Sequence, residues 1–216
     1  KVGEQKMSKS LGNFIDPYVV VREVLKDQPH AADVYRYFLL RDVPFGQDGA
    51  FSEEALRARL GSDLGNDLGN LLQRTHSMIE RYCQSQVPAR EAATADDETL
   101  QRTAQGLPAR LEEALRPLNF AQALEAIFQV VGDANRYIEA QAPWQLSKAG
   151  QTARLHAVLA TLAETIRIVA IALEPFMPTV SAAMWAQLGL GAAPRRLADA
   201  ARWPALSAGH RLGARA

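Results

Sequence analysis

Cysteine is nearly missing from this chain. Cys83 is the only one in 216 residues, which excludes an internal disulfide and any cysteine-clustered zinc site. Net charge is missing too. Lys and Arg total 24, as do Asp and Glu, so there is no bulk attraction for nucleic acid, and an RNA site would have to rest on a few placed residues. Lysine is scarce: after residue 50 only Lys148 occurs, among many arginines. Arginine's planar fork suits bidentate contacts to phosphates and base edges better than lysine does. No apolar stretch near the N-terminus looks like a signal peptide, and the run Ile168 to Leu173 is far short of the ~20 residues that a bilayer span needs. His30, His76, His156 and His210 stand apart from one another, and no glycine-rich phosphate-binding turn occurs. No metal site is expected, no membrane contact, and a reducing cytoplasmic setting fits.

Apolar residues make up 48% of the chain, enough for a proper core. The most informative segment is Lys6-Met7-Ser8-Lys9-Ser10, followed by Leu11-Gly12-Asn13. It packs two ammonium groups and two hydroxyls into five residues, between Gly3 and Gly12. A lysine ammonium on a mobile loop can be pressed against phosphate oxygens, and the flanking glycines permit the backbone such a loop needs.

From Ser52 to about Leu188 the pattern is helical. Ser52 precedes Glu53 and Glu54, an N-cap with acids in the first turn. Leu56, Leu60, Leu64, Leu68 and Leu72 recur every four residues. That spacing drifts around an ideal helix and predicts a bend or break near Gly61–Gly69. Further helices are expected at about Asp97–Leu115, Phe120–Ala140, Thr152–Leu173 and Phe176–Leu188, with Pro117, Pro143, Pro175 and Pro178 at the breaks. Four or five antiparallel helices on short loops make a bundle. Residues 1–51 read as a connecting module. It has a helix capped by Asp16-Pro17, another over about Ala31 to Arg41 with an apolar stripe at Val34, Tyr37 and Phe38, and short strands on either side. Residues 189–216 read as a tail packed back on the bundle through Trp203 and Leu206, with a frayed end. The fold class is therefore mainly α, an antiparallel bundle over 52–188 behind a small α/β module over 1–51.

The run at residues 6–10 resembles the second signature of class I aminoacyl-tRNA synthetases, enzymes that activate an amino acid with ATP and load it onto tRNA. The resemblance implies an ATP-closing loop of Lys6, Met7, Ser8, Lys9 and Ser10. Lys9 would neutralise charge growing on the triphosphate and Lys6 would support it, a placement that favours the transition state over the ground state. A His-Ile-Gly-His type motif, which the family needs upstream, is absent. The chain is therefore expected to be the C-terminal portion of a longer enzyme, inactive alone. ATP, with Mg, would be a substrate of the whole enzyme, and the chain alone is expected to bind none.

Two segments resemble the methionyl-tRNA synthetases in particular: Asp67-Leu68-Gly69-Asn70-Leu71-Leu72-Gln73-Arg74, and Ala134-Asn135-Arg136-Tyr137-Ile138-Glu139-Ala140-Gln141-Ala142-Pro143-Trp144-Gln145-Leu146. The resemblance implies that Asn70, Arg74 and Trp144 read a CAU anticodon on methionine tRNA. Asn70 and Arg74 share a helix face, an amide and a guanidinium can satisfy base edges, and an indole offers a stacking platform. Each has a plainer reading, as a polar helix face or a core plug. Asn135 and Arg136 either line the pocket or brace it. Asp33 and Arg36 either form a surface ion pair or place the tRNA stem. Trp185 and Trp203 read as core plugs, Cys83 and Met78 as core residues. Methionine and ATP would be met through the missing half, and no appended dimerisation domain follows, so a monomer is expected. The alternative is a non-catalytic tRNA-binding or scaffold protein, against which the intact ATP-loop signature argues.

Overall fold

A computed structural model describes residues 7, 8, 10, 12–191 and 196–214. Lys6, Lys9 and Leu11 lie outside them, as does the end of the tail. Asp16 accepts from the Tyr18 amide and starts α1 (Pro17–Val19), which continues as a wider π-turn over Val20–Val24. The second helix, α2 (Ala31–Asp42), buries Val34, Tyr37 and Phe38. Ser52 caps α3 (Glu53–Arg59) through the Ala55 amide.

A bend or break is predicted near Gly61–Gly69; the helix does not break there, but it leaves regular α geometry. The helix runs on as a π-helical stretch, Leu60–Gly69, directly into α4 (Asn70–Cys83). Wider turns advance less per residue, so a four-residue leucine repeat stays on one face where a regular α-helix would carry it round. Leu56 and Leu68 are buried, and Leu60, Leu64 and Leu72 pack against the cores.

The expected single helix over Asp97–Leu115 is two, α5 (Ala95–Gln105) and α6 (Leu107–Leu115), parted at Gly106. Gly106 weakens the helix, and Pro108, in the first turn of α6, has no amide to extend α5. Next come α7 (Phe120–Gln141), α8 (Pro143–Lys148), α9 (Thr152–Leu173) and α10 (Pro178–Gln187). The last begins two residues later than expected because Pro178 occupies its first turn, while Phe176 and Met177 are buried in the connection.

Among the described residues there is no β-strand, only an isolated bridge between Gln86 and Arg211. The strands expected beside α1 and α2 are therefore not seen there, and the described part of the connecting module is helical.

Every position of α9 from Ala157 to Leu173 is buried. This helix is long and apolar enough to cross a membrane, but 94% of its apolar window is buried inside the protein. It is the central post of the bundle, packed by α4, α5, α7, α8 and α10. A smaller core joins Val20, Leu25, Val34, Phe38 and Leu56, and α2 faces both, since Tyr37 belongs to the main core and its ring meets that of Phe128 of α7 at a tilt, centre to centre 5.2 Å.

Asp33 and Arg36 form this same joint. Buried Asp33 accepts from the amides of Thr179 and Val180 and from the Thr179 hydroxyl, capping α10. Arg36 donates to the Pro175 carbonyl at 3.0 Å. Each is tied to α10 or the turn before it, so of the two readings of these residues the i,i+3 surface pair is not formed.

The tail is more tightly held than a few anchors suggest. After a 3-10 turn at Leu197–Ala201, Leu206 and Leu212 enter the main core and Trp203 packs at its edge. Residues 209–212 run antiparallel to 85–87 through three 2.8 Å backbone bonds. A Cβ on Gly213 would collide with the Ala186 carbonyl, so only glycine permits this approach.

Candidate nucleic-acid interface

Asn70 opens α4 and is exposed, with Arg74 one turn further along the same helix. Trp144 sits in the first turn of α8, after buried Pro143. The Arg74 guanidinium carbon lies 5.7 Å from the centre of the Trp144 ring, within cation–π range. Arg74 also pairs with Glu139 of α7 at 2.6 Å. Glu139 stands four residues after Asn135 and so on the same side of α7, the one signal in the sequence that places it here. Trp144 is half-buried: it packs against the main core while meeting Arg74. Part of the indole thus belongs to the core, as the plug reading has it, and the rest lies beside Arg74.

Asn135 and Arg136 part company. The Asn135 amide donates to the Asp67 carbonyl at 3.0 Å and braces α7 against the turn that leads into Asn70. Arg136 lies about 100° further round α7, pairs with Asp133, and lines the groove between α5 and α7 with Asp96 and Thr99. It does not join Arg74 and Trp144.

Beneath the α7–α8 corner lies a cluster whose first element is visible in sequence, the Thr94-to-Asp97 capping box of α5. Asp97 has no solvent exposure. Arg154 of α9 grips it with two bonds, at 2.5 and 2.9 Å, and the Tyr137 hydroxyl and the Thr94 amide also donate to it. Arg154 further reaches the Gln141 side-chain carbonyl at 2.6 Å. Burial alone would raise the Asp97 carboxyl, but the hydrogen bonds from Arg154, Tyr137 and Thr94 outweigh it and hold the group below its ordinary range. Burial, then the bond to Asp97, pushes the Tyr137 phenol far above its usual value.

A lowered folded value means stability that is fully present above the unfolded pKa, about 3.9, and lost as pH falls through the folded one. Asp97→Asn is therefore expected to lower the melting temperature at pH 7 and to flatten its decline below about pH 4. Thermal melts from pH 7 to pH 2 measure this, and an unchanged acid limb would refute it.

At the N-terminus, the Ser8 amide donates to Asn13 Oδ1 at 2.7 Å and the Ser8 and Ser10 hydroxyls lie 2.7 Å apart. Gly12 takes a left-handed φ of 67°. Met7 and Ser10 are exposed. Among the described residues no group of His, Cys, Asp or Glu could hold a metal ion.

Two family descriptions match this chain: "Anticodon-binding domain of tRNA ligase" over residues 97–212, and "tRNA synthetases class I (M)" over residues 1–76. Among curated relatives, the methionine–tRNA ligase of Caldanaerobacter subterraneus subsp. tengcongensis is 44% identical over 86% of this chain and 28% of its own length. That of Mycobacterium leprae is 42% identical over 86% of this chain and 34% of its own. The methionyl-tRNA synthetase of Mycobacterium tuberculosis, solved in complex with methionyl-adenylate, superposes with a TM-score of 0.87 at 39% identity, over 96% of this chain and 40% of that one. The chain thus spans about a third of the curated relatives' length.

Proposed function

Because this chain belongs to the anticodon-binding domain family of tRNA ligases, with methionyl-tRNA synthetases as its relatives, we propose that it is the C-terminal portion of a cytoplasmic, monomeric methionine–tRNA ligase. The bundle grips the CAU anticodon of methionine tRNA, and residues 6–10 close over ATP, bound with Mg in an upstream half. The observation that carries the reading is the Arg74–Trp144 pair, with Asn70 one turn away and exposed. An unstacked base lies on the indole while the amide and guanidinium meet its edge. Glu139 holds Arg74 in place until a base competes for it. Residues 1–51 are the connecting module, 52–188 the anticodon bundle and 189–216 its tail, of which 196–214 pack on the bundle. Lys9 acts on the triphosphate and Lys6 supports it.

Loop electrostatics are catalytic only when aimed at a bound substrate. The isolated 216 residues should therefore give no methionine-dependent pyrophosphate exchange. In the complete enzyme, Lys9→Ala should slow adenylate formation by at least ~10²-fold, as loss of a preorganised charge does, with tRNA binding little changed. Clear exchange by the isolated chain, or equal losses in both steps, would defeat the assignment. A complete protein that binds the CAU loop but forms no adenylate would be the tRNA-binding scaffold instead.

A further inference from the structure

The last residue of α7, Gln141, sits three positions before Trp144, and its side chain is held from two directions. Its carbonyl accepts from Arg154 of α9 at 2.6 Å and its amide donates to Asp96 of α5 at 2.9 Å. The next residue, Ala142, takes φ 43° and ψ 62°, a left-handed conformation that a Cβ-bearing residue adopts only under constraint from its surroundings. The chain turns at Ala142 into α8, whose first two residues are Pro143 and Trp144. The indole's direction therefore depends on this corner, and the Asp97–Arg154–Gln141 cluster holds the residue immediately before it.

We infer that Arg154 and Gln141 are positioning residues for anticodon recognition: they lock the α7–α8 corner so that Trp144 meets Arg74 and the incoming base at the productive angle. Neither touches RNA. The inference rests on the anticodon reading above. Arg154 is suited to the task because its fork spans Asp97 and Gln141 together, which a lysine ammonium cannot match. The Asp97 end anchors the fork, and the Gln141 end carries the constraint to the corner.

The test compares Gln141→Met, Arg154→Lys and Trp144→Ala in the 216-residue chain. One measurement is binding of a CAU anticodon stem-loop against loops with changed anticodon bases. The other is fluorine NMR of protein labelled with 5-fluorotryptophan, in which Trp144, Trp185 and Trp203 give three signals. Gln141→Met should keep a cooperative melt, shift or broaden the Trp144 signal alone, and reduce the preference for CAU about tenfold, since a misplacement of about 1 Å costs up to ~10²-fold. Arg154→Lys cuts the same tie from its other end and should do likewise, which keeps the test intact should Gln141→Met fail to fold. If both variants keep the wild-type preference while Trp144→Ala loses it, the positioning role is wrong and the anticodon reading stands. If Trp144→Ala itself keeps the preference, the anticodon reading falls and the inference with it. A loss of preference with all three signals shifted would mean general loosening and would also overturn the positioning role.

Discussion

Arg167→Met is expected to destabilise this chain by about 3–5 kcal/mol, because it leaves a buried carboxylate without its charge partner. Glu164 and Arg167 sit in the middle of α9 with side chains only 3% exposed, paired at 2.7 Å. The pair also clamps the tail. Glu164 accepts from the Ala205 and Leu206 amides, while Arg167 donates to the Asp199 and Arg202 carbonyls at 3.1 and 2.6 Å. Losing the guanidinium strands both carbonyls and leaves the carboxylate, still bonded to two amides, without its countercharge. The melting temperature should fall by about 6–20 °C for a chain of this size. Arg167→Lys should not rescue it, because one ammonium cannot face Glu164 and two carbonyls along a planar fork. Adding Glu164→Gln to Arg167→Met should restore part of the loss by removing the stranded charge. Urea or thermal unfolding measures the stability, and limited proteolysis reports release of residues 196–214. A loss under about 1 kcal/mol for Arg167→Met would show that water reaches the site and that the tail is held by Leu206 and Leu212 instead.

That clamp also marks where the sequence stops being legible. Local signals translated well. Asp16-Pro17 and Ser52 cap the helices they precede, and the apolar stripe of α2 faces inward. Residues 152–173 form one helix with the expected ends. Each of these depends on neighbours a few residues apart. What escaped depends on partners far along the chain. Glu164 and Arg167 read as two stray charges in an apolar helix until the tail folds back 32 to 42 residues later. Asp97 is one acid in an acidic turn until Arg154 arrives from 57 residues away. The leucine repeat locates an irregularity without giving its form. Its period of four predicts a bend or break, and the helix instead stays continuous through wider turns that accommodate the same spacing. At the candidate interface the order was similar. Asn70 and Arg74 are one turn apart by arithmetic, whereas the meeting of Arg74 with Trp144 and Glu139 is made by packing α4 against α7 and α8.

Trp144→Ala is expected to abolish the preference for a CAU stem-loop, the largest single loss among the interface residues. Stacking on an aromatic side chain contributes about 1–3 kcal/mol per base. Without the platform the base is not held where Asn70 and Arg74 can reach its edge, so their discrimination, about 1–3 kcal/mol for a good base contact, goes with it. At the lower ends the two together amount to a preference on the order of thirtyfold, since 1.4 kcal/mol is about tenfold. Half-burial of Trp144 against the core means that the substitution also costs some stability, less than the ~3–5 kcal/mol of a fully buried aromatic. Asn70→Ala separates the two effects. Asn70 is exposed, so its loss should leave stability within about 0.5 kcal/mol while weakening discrimination at one anticodon position. A chain with zero net charge releases few counterions, so the affinity of either protein should fall only shallowly with salt. Titration of labelled stem-loops at several salt concentrations, with melts run alongside, gives all of these numbers. If Trp144→Ala binds every loop as the unaltered chain does, or if it unfolds at a much lower temperature while Asn70→Ala reads CAU unchanged, then the indole is core packing and the anticodon is read elsewhere.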